Sequence, residues 1–336
     1  RLYQEIGHKL GMAYALLGLG RAASYHGVQE EAREAMTQSL SLHRDIGNLV
    51  GESETMAEMG GLVAAKQFRF REAEDLIQQS LSLAPEANRF GIAYGLGQLC
   101  EVQLRTGQFA EAESSSADGI AAWEDLGLRA WTVRTSIVLA EARLHMGAYH
   151  VARLVAVEAV TLAHELGYGA GVSRGKIVLG EVALAEADVA KAYSTLEESL
   201  GNLMQISDDP RDAHPSAWLG LAARGLELRL EARQHLATAL DWASRHQELR
   251  ELMVALAGIA LLFADEGEAE RAVELYALAS RYALVEKSRW FEDVAGREIA
   301  EAAATLPDMP VAAARQRGQA LDLEATATEL LAEFRG

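Results

Sequence analysis

The chain has 336 residues, of which 50% are hydrophobic and only 6% aromatic, and much of the apolar content is alanine and leucine. With five prolines and no alternating runs of Val, Ile and Thr, this composition favours packed helices and argues against a β-rich fold. A formal net charge of −18 at pH 7 argues against binding of nucleic acid or of an anionic membrane surface, because both need clustered Lys and Arg.

The sequence contains no recognisable set of catalytic or metal-binding residues. Its single cysteine, Cys100, excludes an internal disulfide and a Cys-rich zinc site, and its nine histidines have no metal-binding spacing. There is no secretory segment and no apolar run long enough to span a membrane. We therefore predict a cytoplasmic, non-enzymatic protein without metal, cofactor or catalytic residues.

Along the chain, an alanine recurs at steps of 41, 39, 40, 40, 40 and 40 residues. These anchor alanines are Ala32, Ala73, Ala112, Ala152, Ala192, Ala232 and Ala272. The residues twelve before and seven after each anchor are all small, which lets two helices approach closely. The period therefore predicts seven helix pairs, each of about 40 residues.

A turn is expected five residues before each anchor. Four repeats carry glycine there, at Gly27, Gly107, Gly147 and Gly267, and the others carry Phe68, Ala187 and Glu227. A second helix stop follows at Gly47, Gly127 and Gly167, and at Pro85 in repeat two. The stretch GYGAGVSRGK at 167–176 lacks the glycine spacing and the Ser or Thr of a phosphate-binding loop, so we interpret it as one of these turns.

The periodicity also divides the chain. Residues 1–10 align with the end of a repeat, so we expect them to close a truncated upstream repeat. Residues 11–286 form the seven pairs, and 287–336 form a degenerate capping pair in which Trp290 and Phe291 cover the last repeat. The polar linker at 207–215 is read either as a hinge or as a longer turn.

The pattern resembles the tetratricopeptide repeat. Leu-Gly pairs at Leu19-Gly20, Leu179-Gly180 and Leu219-Gly220 match its first helix, and an apolar residue four after the anchor, as at Met36 and Leu196, matches its second. The resemblance covers residues 11–286 and implies an all-α superhelix, a solenoid of about seven 40-residue pairs plus the capping pair. It also implies that the first helix of each pair lines a concave face.

Fixed distances from the anchors place candidate ligand-binding residues on that face. They are Tyr14, Arg21, Tyr94, Gln98, Glu101, Arg134, Glu141, Arg174, Glu181, His214 and Trp218. Arginine suits a carboxylate, glutamate a cation, and the aromatic residues serve as anchors. A lattice of self-satisfied surface ion pairs is the competing interpretation.

The closing run ELYALASRYALVEKSRWFEDVAGREI is similar to the C-terminal arms of bacterial STAND-type signalling ATPases and of LuxR- or SARP-like regulators. That resemblance implies a scaffold or sensor arm that binds a peptide or protein on its concave face. The alternative is a domain that senses a small-molecule inducer in the same groove.

Overall fold

The computed structural model describes residues 3, 6–206 and 214–335, and this part of the chain is helical without β-strands. The linker predicted at 207–215 lies outside the described residues as far as position 213. Two compact units are present. Unit 1 comprises residues 1–104 and 110–138, and unit 2 comprises 105–109 and 139–336.

The helices alternate with short turns along the whole described chain. The first seven are α1 (Lys9–Tyr25), α2 (Gln29–Asp45), α3 (Leu49–Glu58), α4 (Phe70–Leu83), α5 (Arg89–Arg105), α6 (Phe109–Asp125) and α7 (Arg129–His145). The next seven are α8 (Tyr149–Glu165), α9 (Gly169–Ala185), α10 (Val189–Ile206), α11 (Ser216–Gly225), α12 (Arg229–His246), α13 (Leu249–Asp265) and α14 (Ala269–Ala279). The C-terminal helices are α15 (Ala283–Glu286), α16 (Arg289–Phe291), α17 (Arg297–Ala303), α18 (Asp308–Ala320) and α19 (Leu323–Arg335).

The predicted register is confirmed by burial. All seven anchor alanines have no exposed surface. In α9, a Cβ atom on Gly180 would lie 2.6 Å from Leu196 Cγ, and one on Gly220 in α11 would lie 2.5 Å from Leu236 Cγ. The small residues therefore let the two helices of a pair touch, and the apolar residue four after the anchor fills the contact.

Repeat two departs from the register by one residue. Helix α3 continues into a π-helical turn at Met59–Ala64, which adds one residue compared with an α-helix. As a result Gly60, not the predicted Gly61, lies against the anchor: its Cβ would be 2.7 Å from the carbonyl oxygen of Ala73 and 2.7 Å from Ile77. This additional residue explains why Ala32 and Ala73 are separated by 41 residues.

The turns within the pairs share one backbone conformation. All seven positions five before the anchor have positive φ, from 57° at Phe68 to 82° at Gly147 and Gly267. Gly47, Gly127 and Gly167 also have positive φ, whereas the stop before Pro85 is extended at Ala84. Lys176 lies inside α9, as expected for a turn followed by a helix, and forms an ion pair with Glu198 at 2.9 Å.

In unit 2, the centre of the core is α13. Every residue from Leu249 to Phe263 is buried, since other helices surround this helix on all sides. The segment after α14 then returns to earlier repeats. Ser288 lies 2.8 Å from His145, and the indole nitrogen of Trp290 donates to the carbonyl oxygen of Glu181 at 2.9 Å.

This return corrects the expected role of Trp290 and Phe291. Both are buried, but they pack against α7 and α9 and do not simply cover the last repeat. The ring of Phe291 stacks on His145 with centroids 6.1 Å apart. The expected second capping helix is also divided at Leu321 into α18 and α19.

Candidate partner-binding surface

In unit 1, the first helices of successive repeats bring polar and aromatic side chains into one continuous row. Arg21 of α1 forms an ion pair with Glu58 of α3 at 2.7 Å, and Tyr94 of α5 interacts electrostatically with the same carboxylate. Tyr94 contacts Trp131 of α7 edge-on, with ring centroids 5.6 Å apart. We call this row, completed by Glu101 and Arg134, the Tyr94 row.

The charged residues of the row differ in their exposure to solvent. Glu58 is buried, whereas the side chains of Arg21 and Arg134 are 43% and 34% exposed. Burial raises the pKa of Glu58, and the positive charge of Arg21 opposes that rise. Burial, followed by the charge of Glu58, raises the pKa of Tyr94 well above its usual value, so its hydroxyl stays protonated as a donor.

An aromatic cluster supports the second half of the row. The rings of Trp123 and Trp131 stack with centroids 5.0 Å apart, and Phe90 meets Trp123 edge-on at 5.4 Å. The Arg134 guanidinium lies over the Trp131 ring, 5.2 Å from its centroid, and bonds Glu101 at 3.2 Å. Between these groups is a narrow cleft of about 10 Å³, lined also by Gly97, Gln98, Thr135 and Val138.

In unit 2 the corresponding positions form a buried charge cluster. Arg250 of α13 bonds Glu141 at 2.8 Å and also bonds Glu181, while its guanidinium lies over the Trp218 ring at 4.8 Å. The indole of Trp218 donates to Glu181 at 2.7 Å. Burial and the neighbouring charge of Glu141 raise the pKa of Glu181 to about 8, against the opposing effect of Arg250.

The expectation that all candidate positions are exposed was wrong for four of them. Glu141, Glu181 and Trp218 are buried because Arg250 and α13 fill the space that they face. Gln98 is buried because it packs over Gly61, which has no side chain to keep it away. Whether these residues contact a partner stays a prediction.

The other candidates are partly or well exposed. Arg21, Tyr94, Glu101 and Arg134 belong to the Tyr94 row in unit 1. Tyr14 is 40% exposed and meets His43 edge-on at 4.9 Å. Arg174 and His214 are half-buried in unit 2, where the His214 ring lies 5.7 Å from Trp242.

Sequence reasoning missed Glu54, Glu58 and Arg250. The π-helical turn shifts repeat two by one residue, so the fixed distances counted back from Ala73 miss Glu54 and Glu58 by one residue each. The 41-residue step contained that signal. Val254 is eighteen residues before the anchor Ala272, the same distance that separates Tyr94 and Arg134 from their anchors. Arg250 lies one helical turn before Val254, so it is found by extending the candidate positions by four residues.

Two kinds of site are not found in the described part of the chain. It contains no group of three or more His, Cys, Asp or Glu side chains placed to hold a metal ion. None of its helices is both long and apolar enough to cross a membrane.

Comparison with known proteins gives a structural likeness only. No family model and no curated protein matches the sequence. A crystal structure of Rap protein complexed with competence and sporulation factor matches with a TM-score of 0.63 and 15% identity, covering 99% of each chain.

Two further structures are more distant. BtubC (BKLC) from P. vanneervenii matches with a TM-score of 0.43 and 17% identity over 68% of this chain and 87% of its own. A circular tandem repeat protein matches with a TM-score of 0.22 and 14% identity, over 97% of this chain and 95% of its own. At these TM-scores, neither match is evidence for the fold. The likeness to Rap, together with the helix pairs described above, establishes an all-α solenoid of the tetratricopeptide-repeat type.

Proposed function

We propose that this protein is a non-catalytic interaction scaffold that binds a peptide or protein partner, and that the Tyr94 row is its contact surface. The observation that carries the proposal is the row itself. It places partly exposed guanidinium groups beside half-buried aromatic rings on the first helices of the repeats in unit 1. Arginine and large aromatic residues supply most of the binding energy in protein interfaces.

The size of the cleft in the row supports a peptide over a free metabolite. Small-molecule sites generally enclose roughly 300–1,000 Å³. The cleft between Trp123, Trp131 and Arg134 has only about 10 Å³, which is too small to enclose a metabolite. A peptide would instead lie across the surface of the row, along Arg134, Tyr94 and Arg21.

The structural neighbour adds support from outside the chain. The Rap structure with a similar fold holds competence and sporulation factor, so a solenoid of this kind is capable of holding a partner. We further propose, from the sequence resemblance alone, that the scaffold acts in the cytoplasm as the sensor arm of a larger signalling ATPase or transcriptional regulator.

The test is a selection of random displayed peptides on the intact chain, followed by affinity measurement on variants. Arg134→Ala removes a guanidinium that lies over an aromatic ring and pairs with a glutamate. Arg233→Ala is a matched control, since Arg233 lies over Phe334 at 4.3 Å, pairs with Glu266 at 2.9 Å, and is 32% exposed. Arg233 belongs to unit 2 and is not part of the row.

We expect selected peptides to bind the wild type and the Arg233→Ala variant equally, and the Arg134→Ala variant at least tenfold more weakly. That factor corresponds to about 1.4 kcal/mol, a normal loss for an interface arginine. Equal binding to all three proteins, or a failure to select any peptide, would refute the proposal.

A specific observation also favours a second candidate, small-molecule binding in unit 2. A cleft of about 640 Å³ lies between α14, α17 and α18, with Tyr276, Glu292 and Arg315 among its lining residues. Its apolar wall includes Ile299 and Ala303. A thermal-shift screen of metabolites would detect it: stabilisation by one compound class, lost in Ala300→Trp, supports this function, and no stabilisation contradicts it.

A further inference from the structure

Helix α8 in unit 2 presents apolar side chains to solvent. Val151, Leu154 and Val157 are 41%, 51% and 46% exposed. Thr161 is also exposed, and its hydroxyl donates to the backbone carbonyl of Val157 at 2.8 Å. Residues at steps of three and four lie on one side of a helix, so these four form a continuous apolar surface, which we call the α8 strip.

The other repeats carry polar residues at the positions of the α8 strip. The residues equivalent to Val151 are all charged, namely Glu31, Glu72, Glu111, Lys191, Glu231 and Arg271. The residues equivalent to Leu154 are all polar, namely Glu34, Asp75, Ser114, Ser194, Gln234 and Glu274. The position of Val157 holds alanine or a polar residue in each of the six. The repeat fold therefore does not require the aliphatic side chains of α8, and their exposure indicates a contact surface.

Two polar side chains border the α8 strip at equal distances from its centre. His150 lies four residues before Leu154, and Glu158 lies four residues after it. Both are exposed, and within the described part of the chain neither forms a hydrogen bond or an ion pair. An imidazole N–H and a carboxylate are complementary, but eight residues of helix hold these two about 12 Å apart along the axis.

The order of these residues is self-complementary under a two-fold axis. When two copies of α8 pack antiparallel with Leu154 on the axis, each residue meets the one that lies equally far on the other side of Leu154. Val151 then meets Val157 of the partner subunit, and His150 meets Glu158 of the partner subunit. Side chains at steps of three and four also fit between those of a facing helix. A second copy of this chain therefore complements both the apolar centre and the polar borders.

We propose that the α8 strip is a homodimer interface in which two copies of α8 pack antiparallel about Leu154. One helix from each copy forms a smaller contact than the standard interface, which buries roughly 1,200–2,000 Å². We therefore expect a weak dimer with a dissociation constant of roughly 10–100 µM, so that the chain is monomeric when dilute. The proposal does not depend on the Tyr94 row, since all the residues that carry it belong to unit 2.

The test is sedimentation of the intact chain at about 1 µM and about 300 µM, on either side of the expected dissociation constant. Leu154→Glu places two carboxylates at the two-fold axis, and we expect it to weaken the dimer at least tenfold. The variant should fold, because Glu34 and Glu274 occupy the same position in other repeats.

Leu230→Glu on α12 is the matched control. Leu230 is 70% exposed, and its position holds Glu30 and Glu270 in other repeats. It therefore makes the same chemical change on an exposed second helix outside the α8 strip. We expect this variant to dimerise as the wild type does.

A charge exchange tests the antiparallel register. His150→Glu places a carboxylate against Glu158 of the partner subunit and should weaken the dimer about fivefold, since like charges then meet at two places. Adding Glu158→His to this variant should restore the affinity of the wild type. On oxidation, Leu154→Cys should form a disulfide between copies, because the axis brings the two side chains together, whereas Leu230→Cys should not. The natural Cys100 is buried and does not compete.

Several results would overturn the proposal. A chain that is monomeric at both concentrations, as for a strip that binds a different protein or a lipid surface, would refute the homodimer. So would a dimer that Leu154→Glu leaves unchanged. A double exchange that fails to restore affinity, or equal cross-linking of Leu154→Cys and Leu230→Cys, would refute the arrangement about Leu154.

Discussion

At the scale of single residues, the turn positions show that the fold requires a left-handed backbone conformation there, but not a glycine. The turn before each anchor has the left-handed conformation whether it holds Gly27 or a residue with a side chain, such as Ala187 (φ 59°). A side chain in this region costs about 1–2 kcal/mol, which the surrounding helix pair must offset. The turn is therefore imposed by packing, and glycine makes it less costly.

This predicts opposite effects for two exchanges at equivalent positions. Ala187→Gly relieves the strain and should raise the free energy of unfolding by about 0.5–1 kcal/mol. Gly27→Ala introduces it, with no new contact within 4 Å of the added carbon, and should lower stability by about 1 kcal/mol. Urea unfolding measures both, and effects of the same sign would contradict this explanation.

Residue chemistry in the charge cluster of unit 2 makes stability depend on pH. The pKa of Glu181 is raised to about 8 from an ordinary 4.5, first by burial. The folded chain then holds a proton that the unfolded chain releases, so this contribution to stability declines as the pH rises from 4.5 through 8. His145 acts in the opposite sense: burial lowers its pKa to about 3, and stability is lost as the pH falls below 6.5.

The window between pH 6.5 and 8 therefore isolates the buried carboxyls. We expect the free energy of unfolding to fall across it by about 2 kcal/mol, since one proton contributes at most about 1.4 kcal/mol per pH unit. Glu251, whose pKa is raised to about 7 by burial and by Glu248, adds to the decline. Glu181→Gln should reduce the slope, while Glu158→Gln on an exposed part of α8 should keep it; an unchanged slope in Glu181→Gln would contradict the assignment.

At the scale of helices, the sequence contained the pairs, their order and their contact points. Anchor alanines with no exposed surface and turns at the expected positions followed from a 40-residue spacing alone, because small residues at fixed points dictate where two helices touch. The only sequence signal for the π-helical turn that follows α3 is the 41-residue step between two anchor alanines. The division of the last helix at Leu321 has no comparable signal.

The close contact within a pair predicts a large difference between two leucine substitutions. Gly180→Leu pushes a side chain into Leu196, 2.6 Å from the first added carbon, and should destabilise the chain by about 3 kcal/mol or more. Gly201→Leu in α10 meets no neighbour within 4 Å and should be neutral or slightly stabilising through better helix propensity. Thermal unfolding of the two variants is the measurement, and similar melting temperatures would contradict the register.

At the scale of the whole molecule, the same repeat positions have different environments in the two units. In unit 1 they form the half-exposed Tyr94 row, whereas in unit 2 they surround the buried Arg250. The spacing rule predicted which side chains face inward, and it identified Arg21, Tyr94, Glu101 and Arg134 of the row. It did not predict burial, because burial depends on helices more than 100 residues away, as in the pair Arg250 and Glu141.

Contacts between the C-terminal segment and much earlier repeats also could not be predicted from the sequence. The contacts of Ser288 with His145 and of Asp293 with Tyr149 join positions more than 140 residues apart. No local pattern encodes such a contact, since each residue alone is compatible with many environments. Burial of α13, in contrast, is visible in its nearly continuous apolar sequence.

The most direct measurement on the central claim is hydroxyl-radical footprinting of the intact chain with and without a selected peptide. If the Tyr94 row holds the partner, Phe90 (43% exposed) and Trp131 become protected, while the half-buried Trp242 of unit 2 reacts as before. Protection of Trp242 or Tyr276, with Phe90 and Trp131 unchanged, would place the partner elsewhere and contradict the account.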